Sequence, residues 1–512
     1  MFKYSHVLGF LLLFVGCASG EREQRPKIKN VIFMIGDGMG PQQISLLYHY
    51  ARYAPHSIYK GGETSFEKLA VNGIGLHIPN PYGEIVIDSA ASATQMATGK
   101  LSRPGIIGLD RDGQVAETIL ERAQRAGLGT GLVSDTRLTH ATPAAYAAHV
   151  ISRGMEGEIA RQMVQTAPDI MLSGGLKYFM PQNAGDKNSA FFKNYRSRIP
   201  RDIDFLSQRT DSLNILAKAE KKGFSLVFDK KSLLQSPAKK ILGLFAADAM
   251  PDGIWYSKNE KKPLRKVPTL LEMSGKALQV LAQNEKGFFL MIEGGQIDWA
   301  GHSNDPGTML HNMIHFDQTI ASVLKWASKR DDTLVIVTAD HETGSFAFSY
   351  SSRRKTKTLH LNNLTYATDS SFGDYQLLDK LYAQKGSYNT IFDDFYLLPK
   401  KQQNPFHFRE VFNQSSAFKI SLKEAELAIE RKDGWPIIHD FRHYHTSSYN
   451  AKGGVLARIL ARKQNIIWGT GSHTATPIPV FTFGPKWITD QFMGLYNNTR
   501  LRDLVAHALE LD

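Results

Sequence analysis

Three near-continuous apolar runs in this chain stop at a carboxylate. VIFMIG (31–36) is followed at once by Asp37, FFLMI (288–292) by Glu293, and LVIVTA (334–339) by Asp340. Runs of this length with no polar alternation suit strands buried on both faces. LGTGLVSD (128–135), DIMLSGG (169–175), ILGLFA (241–246) and PVFTFG (479–484) have the same character. Helix-like stretches lie between them, such as VAETILERAQRAG (115–127) and LLEMSGKALQVLAQN (270–284). The alternation predicts an α/β fold: a large central, mostly parallel β-sheet sandwiched between helices. Ligand sites in such sheets form at the carboxyl ends of the strands. Three acids gathered on one edge repel one another unless a cation lies between them, so the pattern points to a metal site.

Histidines accompany these acids. His341 follows Asp340, Asp298 and His302 are four apart and share a helical face, and His473 sits in the Gly-rich turn GTGSHT (469–474). Imidazole with carboxylate suits zinc, and carboxylate with hydroxyl oxygen suits magnesium. Each residue alone has a plainer reading as a turn former, a cap or a satisfied core side chain. Their joint placement at predicted strand ends favours ligands.

A further stretch, VIDSAASATQMATGK (86–100), places Asp88 and Ser89 after the short run IVI (85–87), read here as a strand, and then strips away bulk. The plain reading is an N-cap and a small helix packed on a sheet. The sharper one adds a nucleophile: Ser89 at a helix N-terminus, where free N–H groups and the dipole favour an anion. Asp88 reads as a cap rather than a ligand.

At 512 residues the chain suits one large α/β domain with insertions, or two to three domains. Its net charge of +12 agrees with an anionic substrate without establishing one, and no nucleic-acid-binding module is recognised. MFKYSHVLGFLLLFVGCASG reads as an export signal over residues 1–16. FVGC resembles the bacterial lipoprotein box, which would leave a lipidated Cys17; an ordinary cleavage near Ala18 or Gly20 is the other reading. Residues 17–29 fit a polar tether. Cys17 is the only cysteine, so the folded part has no disulfide.

With these residues in view, the chain resembles the alkaline phosphatases from about residue 28 to 349 and again from 447 to 512. The motifs are IGDGMG (35–40), DSAASAT (88–94), HATPAA (140–145), AHVISR (148–153), EGGQIDWAGH (293–302), TADHETG (338–344) and GSHT (471–474). The resemblance implies a catalytic α/β domain formed by 30–349 and 447–512. It implies that phosphate monoesters of broad range are hydrolysed at alkaline pH through a phosphoserine on Ser89. Two Zn2+ and one Mg2+ per chain are implied. Asp298, His302 and His473 would hold one zinc; Asp37, Asp340 and His341, with Ser89, the second; Asp37, Glu293 and Thr142 the magnesium. Arg153 would clamp two phosphate oxygens. His140 stands where some members carry Asp, which bears on the third site. Trp299 stands where some carry Lys or His, which removes a phosphate-side cation. Both are candidate substrate contacts.

Residues 350–446 match the family pattern poorly and are expected to form an inserted subdomain at the site rim or in a dimer contact, since the family is usually homodimeric. HDFRHYH (439–445) within it holds three histidines, more simply read as solvated or aromatic-packed than as a metal site. Export implies a periplasmic or other extracytoplasmic location, membrane-anchored if Cys17 is lipidated. A phosphodiesterase or another hydrolase of the same superfamily is the alternative; the sulfatase motif C/S-x-P-x-R is not found.

Overall fold

The computed structural model describes residues 26–259, 261–437, 445 and 447–511. Cys17, the signal and most of the tether lie outside the described residues, as do His439 and His443. Ten strands form one sheet: β1 (Asn30–Gly36), β2 (Gly75–Ile78), β3 (Gly129–Arg137), β4 (Ile170–Gly174), β5 (Ser225–Val227), β6 (Ile241–Leu244), β7 (Phe288–Gly294), β8 (Thr333–Thr338), β9 (Ile478–Phe483) and β10 (Gly494–Asn497). Their spatial order is β10-β2-β9-β8-β1-β7-β3-β4-β6-β5. Only β9 runs against its neighbours, β8 and β2. The expected parallel α/β architecture is therefore what the chain adopts.

The apolar runs are continuous because both faces of the sheet are covered. In β1, Ile32 and Met34 enter one core with Met309, Met313 and Phe316 of the helix Pro306–Ala327. Val31, Phe33 and Ile35 enter the other with Leu501, Leu504 and Val505 of the helix Thr499–Ala508. Burying each such side chain contributes about 1.5–3 kcal/mol. Leu377, Leu381, Ile391, Phe392, Phe395 and Phe408, from the segment expected as an inserted subdomain, belong to the first core. Its helices Gln376–Tyr382, Tyr388–Tyr396, Pro405–Ser415 and Leu422–Ile429 share that core with the helices covering the sheet.

Two expectations need correction. The run IVI (85–87) is not a strand: Ile85 and Val86 are exposed and only Ile87 turns inward. Three β-favouring residues are too few to hold a strand without a neighbouring edge to pair with. The helix expected from 115 begins at Ile119, because Thr118 closes a capping box with Glu121: each backbone N–H donates to the other's side chain, at 2.9 and 3.1 Å.

Behind the site, the buried His77 on β2 donates from Nε2 to the carbonyl of Ala339, 3.0 Å away. Burial lowers its pKa to about 4. A histidine depressed in the folded state keeps its stabilisation above its unfolded value, ~6.5, and loses it as pH falls towards the folded one. Unfolding free energy is expected to fall between pH 6.5 and about 4, with a slope approaching ~1.4 kcal/mol per pH unit from this residue. Denaturant midpoints of wild type and His77→Gln across that window check it; the variant should lose that part of the slope.

Candidate active site

Asp37, Glu293 and Asp340 do meet at the carboxyl edge, where β1 is flanked by β7 and β8. Asp37 follows β1 directly, and its N–H donates to Gly294 O at 3.2 Å. Gly38 then turns with φ +72°, and a Cβ there would lie 2.7 Å from the Asp298 Cα. Only glycine permits both that conformation and that approach.

Ser89 opens the helix Ser89–Thr98, every residue of which is buried. Asp88 is its N-cap, accepting from Ala91 N at 3.0 Å. The Ser89 hydroxyl lies 3.1 Å from His341 Nε2. Asp340 presents Oδ2 to the same nitrogen at 3.1 Å, and Asp37 presents Oδ1 at 3.6 Å. Asp340 Oδ1 accepts from the N–H groups of Gly38 and His341, which fixes the carboxylate.

Asp298 and His302 occupy one short helix, Gln296–His302, and His473 arrives on a two-residue strand paired with Glu342–Thr343. His302 Nδ1 donates to Gly471 O at 2.7 Å, and His473 Nδ1 to Ile87 O at 2.8 Å. These carbonyls can only accept, so each ring carries its hydrogen on Nδ1 and turns Nε2 inward. The two Nε2 atoms stand 3.2 Å apart, with Asp298 oxygens 3.3 and 3.7 Å from them. Two facing lone pairs need a proton or a cation between them. Burial disfavours an imidazolium at His302, but the Asp298 carboxylate outweighs it and holds the pKa above its usual value.

Three groups have ligand atoms within 4.8 Å of one another: Asp298, His302 and His473; Asp37, Asp340 and His341; and Asp37, His140 and Glu293. Both Asp37 oxygens, Glu293 Oε1, Asp340 Oδ2 and Thr142 Oγ1 are buried without a hydrogen-bond partner among the described residues. Unmet oxygens in such number are costly unless something coordinates them. Burial, then the charges of Asp340, Asp298 and Glu293, pushes Asp37 well above the carboxylate range. Burial takes Asp340 to about 7 and Glu293 to about 8. The donor set and its orphaned atoms fit divalent cations.

The two remaining candidates lie beside the third group. Arg153 donates to Asp88 Oδ2 and to His140 Nε2, both at 3.1 Å. Burial, with Arg153 and Arg137 nearby, holds His140 well below its usual pKa, so the ring is neutral. Trp299 stands edge-on to His140, with centroids 5.8 Å apart. All the sequence-derived candidates thus come together, and His140 joins them as a potential ligand. Ser134 and Thr136, which donate to Glu293 Oε2, and Thr343, which donates to Asp298 at 2.5 Å, were not anticipated. Hydroxyls around the strand-end acids were the available signal. His445 is buried, 3.2 Å from Asn304 Oδ1, and does not join the three groups.

Fold and site together define a metal-binding α/β hydrolase with a serine at its centre. The sequence profile described as Alkaline phosphatase matches residues 28–511, and the chain belongs to the alkaline phosphatase family. It is 28% identical to alkaline phosphatase 4 of Bacillus subtilis over 96% of this chain and 91% of that one. The cold-active alkaline phosphatase of a psychrophilic Shewanella superposes with a TM-score of 0.69 at 27% identity, over 94% of this chain and 99% of that one. The Thermus thermophilus alkaline phosphatase, at 24% identity, shares the fold with a TM-score of 0.75 over 98% and 96%.

Proposed function

We propose that this chain hydrolyses phosphate monoesters at alkaline pH by passing the phosphoryl group first to Ser89 and then to water. The observation that carries the reading is the Ser89 hydroxyl, 3.1 Å from His341 Nε2 within the three buried ligand groups. Two zinc ions would be held by Asp298, His302 and His473 and by Asp37, Asp340, His341 and Ser89; magnesium would be held by Asp37, Glu293 and Thr142, with His140 within reach. When bound, these cations supply Lewis acidity, lowering the proton affinity of hydroxyl and water and neutralising charge on the phosphoryl oxygens.

The chain's own residues do the positioning. The N-terminus of the helix Ser89–Thr98 favours the anionic group beside the nucleophile. Arg153, fixed by Asp88 and His140, presents a planar fork that matches two phosphate oxygens, which a lysine ammonium would meet only as a point charge. Trp299 closes the rim without adding a cation.

A phosphodiester presents one alkylated oxygen where this site offers donors and ligands. p-Nitrophenyl phosphate is therefore expected to turn over faster than its bis-ester by on the order of 10²-fold or more. A preference for the diester would replace this reading with a phosphodiesterase.

Homodimerisation is proposed for the hairpin Ser351–Leu361/Leu364–Ser371, where Leu361, Leu364 and Tyr366 are exposed. A two-stranded hairpin is marginal alone and gains from a covering surface. Export to an extracytoplasmic compartment, with lipidation of Cys17, is proposed on the N-terminal sequence alone. No helix among the described residues is long and apolar enough to cross a membrane.

A further inference from the structure

One histidine of HDFRHYH (439–445), His445, is buried and lies against the segments that carry the Asp298, His302 and His473 group. That group is drawn from the helix Gln296–His302 and from the turn 469–474, far apart in the chain. Neither belongs to the ten-stranded sheet, so their spacing depends on the contacts that bridge them.

Asn304, two residues after His302, makes such a bridge. Its Nδ2 donates to Gly301 O at 3.0 Å on the helix side and to Thr470 O at 2.8 Å on the turn side. Both carbonyls can only accept, so the amide nitrogen faces them and Oδ1 faces away. His445 Nε2 stands 3.2 Å from that oxygen and donates to it. The Asn304 backbone is left-handed, with φ +48°, a conformation that asparagine tolerates better than most side chains.

His445 also meets the turn directly. Its ring packs on Gly471, where a Cβ would fall 2.1 Å from the ring Cδ2, an approach that only glycine allows. Gly471 carries the carbonyl that fixes the His302 tautomer, and His473 follows two residues on. The residues on either side of Asn304 are held by the same part of the chain. Asn389 Nδ2 donates to Ser303 Oγ at 2.9 Å. Gln384 Nε2 and the N–H of Tyr388 donate to the Asp305 carboxylate at 2.8 and 2.6 Å.

We propose that Asn304 and His445 are positioning residues for the Asp298, His302 and His473 group. The Asn304 amide sets the distance from helix to turn. His445, contributed by the segment 350–446, locks that amide and bears on the turn. Neither residue makes or breaks a bond in the reaction. Their effect passes through the Nε2 atoms of His302 and His473, 3.2 Å apart, and so through the cation those atoms would hold. The proposal rests on the metal assignment made above.

The test compares Asn304→Gly, which keeps the left-handed backbone and removes the amide, with His445→Phe, which keeps a ring against Gly471 and removes the donor. His445→Gln restores a donor. By competition with a chelator, one zinc equivalent is expected to bind ~10–100-fold more weakly in the first two variants, the other metals as in wild type, and His445→Gln to lie near wild type. Their kcat should recover at saturating zinc. In the metal-free proteins, hydrogen exchange of the amides in 469–474 is expected to quicken ~10-fold or more in the first two variants, with β1 unchanged. Wild-type zinc affinity with wild-type exchange overturns the proposal. So does equal weakening of all three metal sites, or faster exchange spread over β1, β7 and β8, either of which would make these contacts supports of the fold alone. Failure of the metal reading shows separately, as a wild-type protein that takes up no zinc; exchange in the metal-free proteins then still decides whether Asn304 and His445 hold the turn.

Discussion

Ser89→Ala is expected to lower turnover of p-nitrophenyl phosphate by at least ~10³-fold, a loss of about 4 kcal/mol of transition-state stabilisation. Removing one oxygen takes away the proposed nucleophile, which lies 3.1 Å from His341 Nε2. The scaffold is left in place, because Asp88 still caps the helix through Ala91 N and ties in the following loop through Gly105 N, and Ser92 still donates to Asp340 O at 2.8 Å. Circular dichroism and the unfolding midpoint should therefore match wild type. Rapid quench with radiolabelled substrate should find phosphate covalently held by wild type at acid pH and none on the variant. Wild-type turnover by Ser89→Ala would mean that water attacks the ester directly, and the two-step reading would fall.

Exhaustive chelation is the second large effect. It is expected to abolish hydrolysis and to lower the thermal midpoint, with both recovered on adding zinc and magnesium. The reason lies in both oxygens of Asp37, in Glu293 Oε1, Asp340 Oδ2 and Thr142 Oγ1, which are buried with no hydrogen-bond partner among the described residues, and in the facing Nε2 atoms of His302 and His473. Without cations these atoms must take up protons or remain unmet; with them, binding energy adds to folding stability. Elemental analysis per chain should give two zinc and one magnesium. His473→Ala should lose one zinc equivalent and on the order of 10² in kcat or more, while the other sites fill. Full activity after complete removal of metal would sink the assignment.

Much of this is legible before any coordinates. Asp37, Glu293 and Asp340 read as strand-end acids, and the sheet places them so, because a buried parallel strand must stop where its backbone meets the site. Asp298 and His302 are legible through their helical spacing. The run IVI misleads, since β-favouring residues do not make a strand without an edge to pair with. The stretch 180–215 carries no periodic signal, yet it forms one wall of a cationic cavity beside β5. Its cations are scattered in sequence and gathered only by the loops around β5.

From sequence alone come the alternation that dictates a covered parallel sheet, the chemical kinds of ligand, and the serine at a helix start, because each is a local property of a few adjacent residues. Tertiary structure decides the rest. Strand order sets β7 and β8 on either side of β1. The carbonyls of Ile87 and Gly471 turn two imidazoles inward. His140 comes to lie beside Asp37 and Glu293. These interactions join residues far apart in the chain, and only the packing of both cores against one sheet brings them within reach.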